Sequence, residues 1–232
     1  MSHPFIIWCR QRTGSISLFY SLCSVSEHSP AEIEPFDFGN VGDRQFSYVG
    51  KRLTPSDRDR ELRAICDGRI LIKHCYENLS AEFNHALAEI STRAGYRHVH
   101  LRRKDEVARL ISKGVAEQHG TWGAHPWTRA LYDEWRAKRL QLPPLDIPRL
   151  REYHERSESR WNALAGLLRP HEVTFEELFS APATVLPRLA AYIGVPDTLV
   201  PVMRKNLGTG QRTWTIWDLI PNVEELRIAI TR

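Results

Sequence analysis

The sequence predicts an α/β protein: a mostly parallel central sheet flanked by helices, with a helical lobe over the ends of the strands. Three observations lead there. Short apolar-rich runs recur at residues 5–9, 69–73, 96–101 and 171–175. Helix-forming segments separate them, and parallel strands need such crossover connections. Residues 122–169 break this rhythm with a long helical period interrupted by Pro143, Pro144 and Pro148.

The first strand, residues 5–9, is followed by a Gly/Ser turn and a helix over residues 16–25. Residues 26–59 are rich in Pro, Gly, Ser and acids and read as a surface excursion. The second strand, 69–73, follows Gly68. The helix over 80–93 then has Ser80 at its start and Gly95 after its end. The third strand, 96–101, leads into a helix from Lys104 to about Glu117. The fourth, 171–175, precedes a helix from Pro182 to Ile193 that Gly194 stops. No repeat or low-complexity tract appears. The 232 residues read as one domain with a helical sub-lobe at about 120–169. Its Trp122, Trp127, Trp135 and Trp161 read either as core packing or as an aromatic wall for a sugar or lipid.

Composition excludes several classes. Apolar residues make up 42% and charged residues 26%, which is ordinary for a globular protein and argues against bulk disorder. No run approaches the roughly 20 apolar residues of a membrane span, so no membrane insertion is expected. The start of the chain has neither the basic region nor the long apolar region of a secretion signal. The expectation is a soluble, cytoplasmic, bacterial protein. Lys and Arg number 32 against 28 Asp and Glu, a net charge of +4. The basic residues are scattered, so a phosphate-bearing small molecule is favoured over nucleic acid. Cys9, Cys23, Cys66 and Cys75 have no zinc spacing and read as reduced thiols, and no metal is expected.

The segment Arg10-Gln11-Arg12-Thr13-Gly14-Ser15-Ile16-Ser17 carries the chemistry. It follows the first strand and opens a helix, whose first turn presents unpaired N–H groups and positive dipole. Gly14 permits close approach of an anion, Thr13, Ser15 and Ser17 add hydroxyls, and Arg12 adds a fixed fork of donors. It is not a Walker A loop, which requires Gly-x-x-x-x-Gly-Lys-Ser/Thr. An atypical P-loop nucleoside or sugar kinase therefore stands second, and a non-catalytic nucleotide-binding protein third.

Arg12-Thr13-Gly14-Ser15 resembles the 5′-phosphosulfate loop of sulfotransferases that use 3′-phosphoadenosine 5′-phosphosulfate (PAPS). The nearer resemblance is to the bacterial carbohydrate branch, of the trehalose-sulfating and nodulation-factor type. Ile16 stands where that family usually has Thr. Three distant segments resemble the same superfamily: Arg103 at a strand end with Ser112 nine residues on, the stretch from Val173 to Val195, and the carboxy-terminal Trp217 to Leu226. The resemblance implies a P-loop-like fold and PAPS as donor co-substrate. It implies that residues 10–17 hold the 5′ end of the donor, and that Arg103 and Ser112 hold its 3′-phosphate. Arg212, in a basic Gly-containing loop, would close over that phosphate. Arg12 would stabilise the leaving oxygens in an in-line displacement. The base that takes the acceptor's proton is read first as Glu34, with Glu32 and Asp37 as alternatives nearby and His74 as an alternative from strand two. The acceptor is a small molecule or glycan, with a carbohydrate or glycolipid hydroxyl first. Oligomeric state stays open.

Overall fold

The structure is a computed structural model, and it describes residues 2–31, 34–36, 54–122, 126–208 and 213–231. Among the described residues four strands form one parallel sheet: β1 (Phe5–Cys9), β2 (Ile72–Cys75), β3 (Arg97–Arg102) and β4 (His171–Thr174), in the order β2-β1-β3-β4. β1 is central, and its chain neighbour α1 (Ser15–Cys23) leaves from the carboxyl edge where the order switches direction. Open α/β sheets bind ligands at such a switch point.

Two apolar layers cover the sheet. On one face, Phe5, Ile7, Cys9, Val99, Leu101 and Val173 pack against α1, α7 (Phe175–Ser180), α8 (Pro182–Ile193) and α9 (Val200–Asn206). On the other, Ile6, Trp8, Ile72 and Tyr76 pack against α2 (Pro55–Asp67) and α3 (Ala81–Arg93). Period-two alternation along each strand divides its side chains between these layers. A third cluster joins α4 (Glu106–His119), α5 (Pro126–Ala137), α6 (Ile147–Ala165), the 3₁₀ segment Thr213–Leu219 and α10 (Val223–Thr231). The helical lobe thus draws its core from outside residues 120–169 as well. α6 spans two layers, since Leu150 and Tyr153 lie in the lobe and Leu164 lies under the sheet.

Four boundaries differ from expectation. The presumed surface excursion 26–59 overlaps α2, which begins at Pro55 with Thr54 accepting from the Asp57 N–H. Thr-Pro-x-Asp is an N-terminal signal that the acidic, polar surroundings obscured. β2 runs later than residues 69–73, because Arg69 takes a left-handed φ of 53° and Leu71 is spent on a bridge to Pro30. Pro148 interrupts nothing: it sits in the first turn of α6, where proline is tolerated. The helix after β4 begins immediately, as α7.

Candidate anion-binding site at the carboxyl edge of the sheet

Cys9 ends β1 and Ser15 opens α1, so residues 10–14 must reverse the chain in five positions. They do it with two left-handed residues, Arg12 at φ 68° and Gly14 at φ 79°. Thr13 is fully buried, and its hydroxyl donates to the Arg10 carbonyl at 2.7 Å, closing the turn. Gly14 is the N-cap of α1, and a Cβ there would lie 2.9 Å from Phe179 Cε2 and 3.0 Å from Phe175 Cδ2. The intrahelical bonds start with Leu18 N–H on the Gly14 carbonyl. The amides of Ser15, Ile16 and Ser17 belong to the first turn, which has no intrahelical acceptors. Ser15 is buried, whereas Ile16 and Ser17 are half-buried. Gly208 closes against Ser17, at 3.4 Å from a would-be Cβ to its Oγ.

Three segments far apart in sequence meet at this turn. Arg12 Nε–H donates to Ser112 Oγ of α4 at 2.9 Å. Arg103, just beyond β3, directs Nη1 at the Arg12 carbonyl at 3.5 Å and lies over the Phe175 ring at 4.5 Å. Ser112 Oγ also shares a hydrogen bond with Thr213 Oγ1 at 3.1 Å. Among the described residues no carboxylate forms an ion pair with Arg12 or Arg103, and the buried Arg103 Nε has no hydrogen-bond partner. Burial pushes the Arg12 guanidinium down to about 10, and the neighbouring charge of Arg103 acts in the same direction. Burial lowers Arg103 as well. Two desolvated cations with spare donors form a site that an anion would stabilise. Arg12, read from the sequence as acting on the leaving oxygens, thus sits beside the residues read for the 3′-phosphate. The ring centre of the exposed Trp122 lies 5.9 Å from the Arg12 guanidinium and 5.7 Å from Lys113 Nζ.

Arg10 faces a different group. Its guanidinium pairs with Glu106 of α4 and Glu158 of α6. Glu106 also accepts from the fully buried Arg109 at 2.8 Å. Burial resists the charge of Glu106, but His154, Arg109 and Arg10 outweigh it and hold the carboxyl down to about 2. Glu106, His154 and Glu158 have ligand atoms within 4.8 Å of one another, yet Arg10 and Arg109 already supply their positive charge. Gln11 is anchored similarly. Its N–H donates to Glu77 Oε1 at 2.5 Å, and its side-chain oxygen accepts from Lys113 at 2.7 Å. Glu77 in turn accepts from the Tyr153 hydroxyl at 2.8 Å. Arg10 and Gln11 therefore fasten the loop to the helical lobe.

The candidate bases separate. Glu34, itself at φ 60°, pairs with the buried Lys73 of β2 and accepts from the Cys75 thiol at 3.1 Å. Cys75 lies beside Cys9, so Glu34 stands one strand from the loop. His74 points to the opposite face. Its Nε2 meets Asn84 Oδ1 at 2.6 Å, and its ring packs edge-on against Trp8 and Phe36. The structure does not bring His74 to the loop. Glu32, Asp37 and Arg212 lie outside the described residues, although Thr213, next to Arg212, touches Ser112. Sequence reasoning passed over Lys73 as a partner for Glu34, and it passed over Glu77, Glu106 and Thr213. Two signals were available: Glu77 lies two residues beyond β2, and Glu106 opens α4.

Two surface concavities lie elsewhere. One of about 660 Å³ is lined by Arg136, Arg139 and Asp218, and one of about 570 Å³ lies between α2, α3 and Arg160. Among the described residues no helix is long and apolar enough to cross a membrane.

No family model and no curated protein matches the chain. A solved structure described as the sulfotransferase domain from the curacin biosynthetic pathway is similar to it, at 14% identity and a TM-score of 0.48. The alignment covers 84% of this chain and 75% of that one.

Proposed function

We propose that this chain is a sulfotransferase that moves a sulfuryl group from PAPS to a hydroxyl acceptor by in-line displacement. The observation that carries the reading is the meeting of Arg12 with Arg103 and Ser112, from two segments far apart in sequence, with no carboxylate paired to either arginine among the described residues. The buried, unpartnered Arg103 Nε is the donor that a phosphate oxygen would satisfy. Arg12, Arg103 and Ser112 would hold the nucleotide's phosphates, with the first-turn amides of α1 and the hydroxyls of Ser15 and Ser17 around the 5′ end. PAPS supplies an activated sulfuryl group on a phosphate leaving group, so the protein need only position the partners, meet charge and accept one proton. Glu34 is our choice for the proton acceptor, with Lys73 orienting its carboxylate. The acceptor is read as a carbohydrate or glycolipid hydroxyl. Support comes from Trp122 beside Arg12 and from Trp127 on α5, both partly exposed and able to stack on a sugar face.

A thermal-shift titration decides the donor. A saturating dose of 3′,5′-adenosine diphosphate, at about a hundred times its Kd, stabilises a folded protein by about 2.7 kcal/mol. For a chain of this size that is a rise of roughly 5–10 °C in Tm. 5′-AMP should shift it far less, and Arg103→Ala should erase the difference. Equal shifts from ATP and the 3′,5′-diphosphate would overturn the reading in favour of a kinase. For the base, Glu34→Gln should lower kcat by about a hundredfold or more while leaving the 3′,5′-diphosphate shift intact. Full activity in that variant would remove Glu34 from the role.

A further inference from the structure

Cys9 and Cys75 are the last residues of β1 and β2 and are direct partners in the parallel register. Both are buried, and their sulfurs are 3.7 Å apart. Neighbouring strands lie about 4.8 Å apart, inside the Cα window of about 4.4–6.8 Å that a disulfide accepts. Being in register, the two side chains leave the sheet on the same face. The surroundings are unusual for structural thiols. Lys73 Nζ lies 3.8 Å from the Cys75 sulfur, and Glu34 Oε1 lies 3.1 Å from it. A cation, a carboxylate and two sulfurs therefore form one cluster at the carboxyl ends of β1 and β2, next to the candidate anion loop.

We infer that Cys9 and Cys75 form a site of reversible disulfide formation that reports the redox state of the surroundings to the loop. The chemistry follows from the contacts. Cys9 is the attacking thiol. Burial disfavours its thiolate, but the Cys75 S–H and the Lys73 charge together outweigh that and lower it. Cys75 is held above the usual thiol range, first by the hydrogen bond to Cys9 and then by burial. With a peroxide as oxidant, the Cys9 thiolate attacks one oxygen and the O–O bond breaks. Cys9 becomes a sulfenic acid, and hydroxide leaves and takes up a proton. The Cys75 thiol then attacks the Cys9 sulfur. The S–O bond breaks, water leaves and the S–S bond forms. Two thiols lose two electrons and one peroxide becomes two waters. Oxidation consumes the Cys75 S–H, which lies within reach of both Glu34 and the Cys9 sulfur, and it ties β1 to β2 at the residue before Arg10. Among the described residues Cys23 and Cys66 have no such partner: burial raises each to about 12, and the Asp67 charge adds to the rise of Cys66.

The inference is independent of which anion the loop binds, and its test reads thiols rather than transfer. The intact protein is treated with hydrogen peroxide, denatured, and its free thiols counted. They should fall from four to two, and reducing agent should restore them. Peptide mapping should find the Cys9 peptide joined to the Cys75 peptide within one chain. A Cys23→Ser/Cys66→Ser double variant, which leaves the pair untouched, should fall from two free thiols to none. Four surviving thiols, a link through Cys23 or Cys66, or a link only between chains would overturn the inference.

Discussion

Gly14 must satisfy two requirements at once. Its φ of 79° strains any residue with a Cβ, by about 1–2 kcal/mol. Its face toward Phe179 and Phe175 leaves no room for a methyl group. Gly14→Ala should therefore lower stability by about 2 kcal/mol, since relief of the aromatic contact adds to the backbone strain. Urea denaturation would measure it, and a loss under about half a kcal/mol would mean that the turn relaxes freely. Affinity for the 3′,5′-diphosphate should fall as well, because the same turn orients the α1 amides. At this scale the geometry of the candidate site was half legible. Arg12, Gly14, Arg103 and Ser112 could be picked out because each stands in a contiguous pattern of strand end, turn and helix start. The facing of Lys73 and His74 could not. Adjacent strand residues always point to opposite layers, but which layer holds the loop depends on how the crossovers wind. Nor could sequence separate Arg10, neutralised by Glu106 and Glu158, from Arg12, which has no carboxylate partner among the described residues. That difference is made by α4 and α6 arriving from far along the chain.

Among the elements, α4 does most to assemble the site. Its first turn supplies Glu106 to Arg10, its middle supplies Arg109 and Ser112, and the next residue, Lys113, holds Gln11. The entry to α4 is fixed from two sides. Asp105 accepts from the Ala108 N–H at 2.8 Å, and Glu176 of α7 accepts from the Lys104 and Asp105 amides at 3.0 and 3.1 Å. Asp105→Ala removes the cap and should cost about 1 kcal/mol of stability, with a matching drop in the urea midpoint. It should also weaken the proposed diphosphate binding, because Ser112 rides on the same helix. A drop in stability with unchanged affinity would show that Glu176 alone holds the register. The helices read well from sequence where caps and glycines mark them, as at Ser80 for α3 and Gly194 after α8. They read poorly where composition misled, as at α2 and α6. There Pro55 and Pro148 were breakers by habit but N-terminal residues in fact. The chain order of strands and helices was legible, whereas the assembly of the lobe from α4 and α10 was not, because helical period does not say which helices share a core.

Across the whole molecule, the face of the sheet opposite the loop carries a row of buried imidazoles, and these should make the fold sensitive to acid. His98 accepts from Trp8 Nε1–H at its Nδ1, at 3.0 Å. Its proton therefore sits on Nε2, which faces Thr92 Oγ1 at 3.0 Å. Desolvation pushes His98 down to about 4, and a proton on Nδ1 would point at the Trp8 donor. His100 is lowered by the same desolvation, although Glu172 opposes it. A histidine depressed in the folded state is neutral in both states above its unfolded value near 6.5, and its stabilisation is complete there. As pH falls from about 6.5 toward 4, the unfolded chain takes a proton that the folded chain refuses, so stability is lost across that window. For His98 alone the loss between about pH 7 and pH 5 is about 2 kcal/mol. Glu106, held down to about 2, acts in a lower window and adds its loss only below its unfolded value of 4.5. Urea unfolding followed from neutral pH downward should thus show a decline that begins with the histidines and steepens below about pH 4.5 as Glu106 joins. His98→Gln keeps an acceptor for Trp8 and a donor for Thr92 but cannot titrate. It should flatten the upper part of the decline by about 2 kcal/mol at pH 5 while leaving the lower part in place. An upper limb as steep as that of the parent protein would assign the acid sensitivity to His100 instead, which burial also lowers.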